Sequence, residues 1–562
     1  LRPVAQGERI LSTDSRVIPT LPQEPAPGLP ALHKAFEEVG DLGNGTLAPL
    51  AESLGVPLAD LVSAATFYHY FSPDLADTDE TAMCGGPVCS LTGAPRQGEH
   101  AIACPGLCDH PPAQHRSGVF TASGAPKAHF EAPVPTPGER AIFPGDGFTS
   151  TETLDEYRKA SGYEELLRLA HGGDLDAALE TVAASGLVGR GGAAFPVGVK
   201  WRAVRDAAGD EKVVVCNADE GEPGTFKDRA ILHLRPHLLL EAMAISGLLV
   251  GARTGVIYLR YEYPQAFEVL TEAIREAEKA GLLGASIDGT DFGFAVHIRR
   301  GAGSYVCGEE TALLNSLEGK RPWPRERPPY PTTHGLWGLP TVINNVETLS
   351  TVPAILRNGA DWYQALGVGE SAGTKLYSLS GKVNRPGNYE LPLGTTARQL
   401  IFDYGGGLAE GRHIKAFTLG GISGGLLGEA ELDMPLDYKA PQKLGAFLGS
   451  GGVVVLDDTC CVVDFARTCL AFYEEESCGK CFPCRIGTVR LREFLDAATG
   501  RAESTGVGEA DLKDISEAMA HLSACGLGQS APMPLQALWT RFADELEEHV
   551  NQHTCRAGVC SL

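Results

Sequence analysis

Residues 213–224 read Val213-Val-Val-Cys216-Asn-Ala-Asp219-Glu-Gly-Glu222-Pro-Gly224. The opening apolar run is short and β-branched, which predicts a buried strand. It passes directly into an amide, three carboxylates and two glycines. Outward from it the same alternation repeats. Leu175–Ala184 reads as a helix before it and Ala230–Leu249 as a long buried helix after it. Then follow a strand over Gly255–Leu259, an amphipathic helix over Ala266–Ala280, a strand over Phe294–Ile298 and a helix over Glu310–Leu317. Strands alternating with helices predict an α/β fold with a mainly parallel, helix-covered sheet. In such sheets ligands bind beyond the carboxyl ends of the strands.

Three further loops share the character of the first. Gly301-Ala-Gly303-Ser-Tyr305-Val-Cys-Gly308-Glu309-Glu310 lies between a strand and a helix, where its acids also suit plain helix capping. Ile343-Asn344-Asn345 adds two amides. Amides and carboxylates converging with glycines suit ribose, ribityl hydroxyls or a ring edge better than phosphate. Gly189-Arg190-Gly191-Gly192-Ala-Ala194 has the spacing of a dinucleotide fingerprint. A helix precedes it and Phe195-Pro196 follows, so the strand–loop–helix context is missing. Its glycines still let the backbone approach a phosphate or a flat ring, and Lys200 adds a positive charge. For each loop alone, ordinary turn chemistry is the alternative.

The chain has 15 cysteines and no secretory signal, which favours metal or redox chemistry over a disulfide framework. Cys478, Cys481 and Cys484 stand three apart, and Cys525 follows two stretches of helical periodicity, Thr488–Ala498 and Glu509–Leu522. A triplet with a distant fourth thiolate suits [4Fe–4S]. Zinc, the alternative, more often takes two separated pairs. Cys84 and Cys89, with Cys104 and Cys108, form two pairs with 14 residues between them, which suit [2Fe–2S] with zinc as alternative. Cys216, Cys307, Cys460, Cys461 and Cys469 read as small buried hydrophobes. Cys555 and Cys560 stay open between binding metal, capping a partner's site and no role.

Composition narrows the function classes. A chain of 562 residues suits three or four domains, and its 43 % hydrophobic content excludes a mainly disordered one. A net charge of −24 argues against nucleic acid or anionic lipid as the main partner. Leu238–Val250 is shorter than the roughly 18–20 residues of a membrane helix and contains Glu241. No basic region followed by an apolar stretch opens the sequence, so the expected location is cytoplasmic.

The expected organisation begins with a Pro-rich extended arm, 1–28. Residues 29–150 hold helices over Ala31–Val39, Leu47–Leu54 and Leu58–Tyr70, the first cysteine set, and a Pro- and Gly-rich linker with short strands. The α/β domain spans 151–365. A β-grasp type module spans 366–440, where Leu376–Val383 and Phe417–Gly421 bracket a helix over Ala397–Tyr404. A helical domain with the cysteine triplet covers 441–550, and 551–562 form a tail.

Five segments in order carry a resemblance: Gly186–Pro196, Cys216–Arg229, Gly303–Ala312, Gly335–Thr348 and Ser477–Gly487. They closely resemble the NADH-oxidising flavoprotein subunit of respiratory complex I. They also resemble the diaphorase subunits of NAD-dependent formate dehydrogenases and NAD-reducing hydrogenases. Residues 29–110 resemble the thioredoxin-like [2Fe–2S] subunit that partners this flavoprotein, through Ala65-Thr-Phe-Tyr68 and the four cysteines. The stretch between Cys89 and Cys104 is short for that family, so a degenerate thioredoxin-like domain is expected. Ala194 stands where relatives usually carry glycine.

The resemblance implies a Rossmann-like FMN and NAD domain, a β-grasp module and a C-terminal helical bundle with [4Fe–4S]. It implies FMN over Gly189, Arg190, Gly191 and Gly192, contacted by Lys200, Asn217, Asp219, Tyr305, Gly308, Asn344 and Asn345. It implies NAD stacked on the flavin, with Phe195 and Tyr330 at the adenine end. Glu220, Glu222 and Glu310 would lie near the nicotinamide and ribose, with Glu309 also among the cofactor-binding residues. Cys478, Cys481, Cys484 and Cys525 would hold [4Fe–4S], and Cys84, Cys89, Cys104 and Cys108 [2Fe–2S]. Hydride passes directly between NAD and FMN, so no protein acid or base is expected.

The expected function is that of a diaphorase, the β subunit of an NAD-dependent formate dehydrogenase. Formate would be oxidised on a partner α chain carrying molybdopterin, with molybdenum or tungsten, and further Fe–S clusters. The diaphorase subunit of an NAD-reducing hydrogenase and the complex I flavoprotein are alternatives of the same chemistry. A zinc-stabilised scaffold without redox turnover is the alternative of another class.

Overall fold

The computed structural model describes residues 28–72, 81–92, 101–116, 119–122, 133–145, 148–369, 371–503 and 506–562. Of the expected extended arm, all but Gly28 lies outside the described residues. Helices Gly28–Val39, Asn44–Leu54 and Leu58–Ala65 come first. The third stops at Ala65 rather than Tyr70, because the chain turns to bond elsewhere. The backbone N–H groups of His69 and Tyr70 donate to the carbonyls of Gly303 and Ala302. Strands β1 (Ala82–Cys84), β2 (Ala101–Ile102), β3 (Ala113–Arg116) and β4 (Val119–Ala122) then form a small sheet in the order β2-β1-β3-β4.

The opening Val213 segment does form a strand. β5 (Val213–Ala218), β6 (Thr254–Leu259), β7 (Ala295–Arg300) and β8 (Thr341–Asn345) lie parallel in the order β7-β6-β5-β8. Val214 and Cys216 pack into one hydrophobic cluster, Val213 and Val215 into another. Both faces of β5 are therefore covered, which explains its unbroken apolar run. The long helix expected over Ala230–Leu249 is two, Lys227–Leu234 and Pro236–Val250. Pro236 has no N–H to continue the first helix and drives Arg235 to φ −131°, ψ 53°.

The third sheet comprises β9 (Thr374–Gly381), β10 (Gly387–Pro392), β11 (Ile414–Thr418), β12 (Leu426–Gly428) and β13 (Gly452–Asp457), ordered β10-β9-β13-β11-β12. This module reaches past residue 440. β13 inserts between β9 and β11, and every residue of it is buried. The helix expected over Ala397–Tyr404 is only a π-helical turn, Gln399–Tyr404. Residues 133–145, expected within a linker, are pinned to this sheet. The N–H groups of Ala141 and Phe143 donate to the buried Glu390 carboxylate at 2.7 and 2.8 Å. Six helices from Val462 to Asn551 complete the described fold, and Glu509–Leu522 has the expected limits. Among the described residues no helix is long and apolar enough to cross a membrane.

Candidate functional site

The register of β5 on β8 pairs Cys216 with Asn344 and Asn217 with Asn345, so three amides share the carboxyl edge of the sheet. The Gly186–Pro196 turn closes over that edge. Its neck is fastened by the Gly189 N–H donating to the Phe195 carbonyl at 2.9 Å. The Arg190 N–H donates to Thr348 Oγ1 at 2.8 Å, and an added Cβ at Gly191 would lie 3.0 Å from Asn345 Cβ. Lys200 Nζ reaches the Ile343 carbonyl at 3.0 Å and Glu310 Oε2 at 3.2 Å. Asn217 Nδ2 donates to the Gly308 carbonyl at 2.8 Å, tying the β5 loop to the β7 loop. Four separate sequence loops thus meet in one crevice.

The crevice suits a flat polar ring. At Gly189 and Gly192 an added Cβ would make ordinary contacts, the nearest at 3.7 and 3.9 Å. Gly192 has φ 136° and Ala194 φ 51°. Asn344 Oδ1 is engaged by Trp201 Nε1 at 2.8 Å, which leaves its Nδ2 hydrogens for another acceptor. Asp219 is half-buried, its shielded Oδ2 has no partner, and loss of solvent around the carboxyl pushes its pKa well above the usual range. At the outer rim Phe195 and Tyr330 are half-exposed, and Lys200 Nζ lies 5.8 Å from the centroid of the Phe195 ring. These two rings offer stacking faces to solvent.

Several expected ligands also have partners within the protein. The Arg190 guanidinium turns inward to the Tyr363 hydroxyl at 2.6 Å and the Ala372 carbonyl at 2.9 Å. It fixes the turn from beneath. Glu220 caps the Lys227–Leu234 helix, accepting from the N–H groups of Asp228 and Arg229 at 2.8 and 3.1 Å. Glu222 accepts from the N–H groups of Ile422 and Ser423 and from the Tyr305 hydroxyl, joining the α/β domain to the third sheet. Burial pushes both carboxyls up to about 7. Glu309 caps the Glu310–Leu317 helix through Thr311 and Ala312, leaving Glu310 as the acid beside Lys200. Asn345 likewise caps Val346–Asn358.

Sequence reasoning missed the charges beneath the site. Glu347 lies 3.0 Å from Lys227 and 3.2 Å from Lys375, all three almost fully buried. Burial opposes ionisation of Glu347, but the two ammonium groups outweigh it and hold its carboxyl low. Lys375 also donates to the Arg190 carbonyl at 3.0 Å, so the third sheet braces the glycine turn. No spacing rule connects positions 227, 347 and 375; only the fold does.

Both cysteine sets converge. Cys478, Cys481, Cys484 and Cys525 line a cleft walled by Val306, Pro324 and Leu527. Gly528 admits Cys484 closely, since an added Cβ would come within 2.8 Å of Cys484 Cβ. Four thiols around one small apolar-walled space fit a cubic cluster. In the loop between β2 and β3, Cys104 and Cys108 Sγ are 3.6 Å apart. Backbone N–H groups of Gly86, Ala113 and Gly224 donate to Cys84, Cys89 and Cys108 sulfurs, each at 3.4 Å. Such donors stabilise cluster thiolates and tune their potential. Cys216, Cys307, Cys460 and Cys469 are buried as expected of packing cysteines. Cys461 departs from that group, because Cys560 Sγ lies 3.7 Å away.

Residues 182–354 match the Nuo51 FMN-binding domain. Over 415 residues the chain is 45 % identical to the NADP-reducing hydrogenase subunit HndC of Solidesulfovibrio fructosivorans, covering 74 % of this chain and 84 % of that one. The chain belongs to the complex I 51 kDa-type NADH-binding flavoproteins. This flavoprotein is also 43 % identical over 407 residues to an NADH-quinone oxidoreductase subunit of Escherichia coli K12, covering 71 % of this chain and 90 % of that one. Residues 464–549 match the NADH-ubiquinone oxidoreductase-F iron-sulfur binding region, 15–103 a thioredoxin-like [2Fe-2S] ferredoxin and 376–425 the SLBB domain. An NAD+-reducing [NiFe]-hydrogenase structure in the H2-reduced state overlays with TM-score 0.78 and 32 % identity, covering 95 % of each chain. The cofactors of the flavoprotein are FMN, [4Fe–4S] and [2Fe–2S], and NAD is its substrate.

Proposed function

We propose that this flavoprotein exchanges electrons between NAD(H) and its two clusters as the β subunit of a larger enzyme, in the cytoplasm. Oxidation of one NADH yields NAD+, one proton and two electrons, which leave singly through iron–sulfur centres; the reverse reduces NAD+. The observation that carries this reading is the contact of the crevice loops with both cysteine sets. The Tyr305 N–H donates to Glu476, beside the Cys478 loop, at 2.9 Å, and the Gly224 N–H donates to Cys108 Sγ. FMN, when bound, converts between the paired electrons of hydride and single electrons.

The residues of this chain hold and orient. The Gly189–Gly192 backbone would lie against the flavin, with Asn217, Asp219, Asn344 and Lys200 around its polar edge. Phe195 and Tyr330 would stack the adenine end of NAD, and Glu310 would meet a ribose hydroxyl. No side chain need take a proton for hydride to move. Phe482 and Leu522, 66 % and 69 % exposed beside the [4Fe–4S] cysteines, support docking of a partner there.

For that partner we propose the molybdopterin-bearing α chain of a formate dehydrogenase, which would oxidise formate and return its electrons to NAD+. The fusion of the thioredoxin-like and flavin domains in one chain fits this partner and a hydrogenase equally. The overlay with the NAD+-reducing [NiFe]-hydrogenase over 95 % of both chains favours a second reading, a hydrogenase diaphorase. Metal analysis of the co-purifying large chain separates them: molybdenum or tungsten supports the first, nickel the second. Cys481→Ser should leave FMN bound and NADH–ferricyanide activity largely intact, yet slow transfer to the partner at least about 100-fold. Normal turnover with the partner in that variant would refute the electron path. A colourless chain holding zinc alone would return the scaffold reading.

A further inference from the structure

We infer that Cys461, His549, Cys555 and Cys560 bind one zinc ion, a structural site separate from both clusters. Each contributes one ligand atom, and all four atoms lie within 4.8 Å of one another. Cys461 Sγ is 3.3 Å from His549 Nε2 and 3.7 Å from Cys560 Sγ. Zinc–sulfur bonds of about 2.3 Å and zinc–nitrogen bonds of about 2.0 Å in a tetrahedron give ligand separations of about 3.5–3.8 Å. The group is thus already near zinc geometry. It is too tight for a cubic cluster, whose cysteine sulfurs stand off the corners of the cube. At 3.7 Å the Cys461 and Cys560 sulfurs are also far outside disulfide length.

The surroundings orient these ligands. His549 Nδ1 lies 2.7 Å from the Glu545 carbonyl, so Nδ1 carries the hydrogen and Nε2 presents its lone pair toward Cys461. A backbone carbonyl fixing the far nitrogen is the usual outer support of a metal-bound histidine. Cys461 Sγ accepts from the Asp464 N–H at 3.3 Å at the N-terminus of the Val462–Glu475 helix, which favours the thiolate. Three Cys and one His, all from one chain, form a closed donor set with no open position, as in structural zinc sites.

The location says what the ion would do. Cys461 opens the Val462–Glu475 helix, and the [4Fe–4S] loop begins just after its other end. Fourteen helical residues separate the two sites by roughly 21 Å, too remote for the ion to serve as a ligand or relay of that cluster. The ion would clamp residues 552–562 and the Ala543–Asn551 helix to the base of the helix that carries the cluster loop.

The test uses the full-length protein as isolated with its cofactors. Elemental analysis should find one zinc per chain beside the cluster iron, and zinc-edge X-ray absorption should show three sulfurs and one nitrogen. The double variant Cys555→Ser/Cys560→Ser should lower zinc at least about tenfold while iron and FMN stay at wild-type levels. Zinc well below stoichiometry in an iron-replete chain would overturn the proposal. So would a Cys461–Cys560 disulfide found by mass spectrometry, or iron lost in step with zinc. If the variant fails to fold, the absorption spectrum of the unmodified protein remains decisive.

Discussion

Ala194 sits in the glycine turn against its own conformational preference. Its φ of 51° lies in the left-handed region, where a Cβ crowds the following carbonyl at a cost of about 1–2 kcal/mol. Glycine pays no such cost but gains freedom in the unfolded chain, which takes part of the benefit back. Ala194→Gly should therefore stabilise the protein by about 1 kcal/mol or less, read from the urea midpoint. A lower midpoint would mean that the methyl packs usefully. The same turn shows what a motif conveys and what it leaves out. Its glycines were legible because a close backbone approach excludes other residues. The inward turn of Arg190 was not, because it depends on Tyr363 and Ala372, distant in sequence.

Among elements, the helix Gly28–Val39 docks through a histidine that must stay neutral. His33 Nε2–H donates to the Gly301 carbonyl at 3.0 Å, and its ring packs 4.8 Å from Tyr70 and 5.3 Å from Phe71. Nδ1 is buried without a partner, so a second proton there would find no acceptor. Burial, and then the nearby Arg300 charge, push the pKa down to about 3. The unfolded chain takes up that proton near pH 6.5, so His33 contributes full stability above that value. The contribution is lost as the pH falls toward about 3, at about 1.4 kcal/mol per unit. Between pH 6.5 and 5 the docking should weaken by about 2 kcal/mol. Hydrogen exchange over residues 28–39, corrected for its intrinsic pH dependence, should show faster opening at pH 5, and His33→Gln should flatten the trend. An unchanged opening free energy would place the histidine in a more tolerant site. The helix itself was legible from its spacing of apolar residues. β13 was not read as part of the third sheet, because a strand buried on both faces carries no alternation.

Across the whole molecule, the thioredoxin-like and flavin domains are held together by two buried guanidinium groups. Arg229 donates to the Gly106 carbonyl at 2.6 Å and pairs with Asp109, both side chains about 5 % exposed. Arg260 donates to the Cys104 carbonyl at 2.6 Å. The loop Cys104–Asp109, which carries two of the four cysteines, is thus positioned by residues more than a hundred places away. Hydrophobic periodicity cannot reveal such a pairing, although Arg229 closes one of the recognisable motifs. Removing one partner of a buried pair leaves the other charge uncompensated, at about 3–5 kcal/mol. Arg229→Ala should therefore loosen this loop from the flavin domain while the remote [4Fe–4S] cleft keeps its ligands. The expected outcome is a weakened or shifted [2Fe–2S] signal in the paramagnetic resonance spectrum of the reduced protein, with the [4Fe–4S] signal and NADH–ferricyanide activity retained. Arg229→Lys keeps the charge but loses the fork that reaches Gly106 and Asp109 together, so it should recover only part of the signal. An unaltered [2Fe–2S] spectrum in Arg229→Ala would show that the N–H and thiol contacts within the cysteine loops suffice, and that the domains are joined elsewhere.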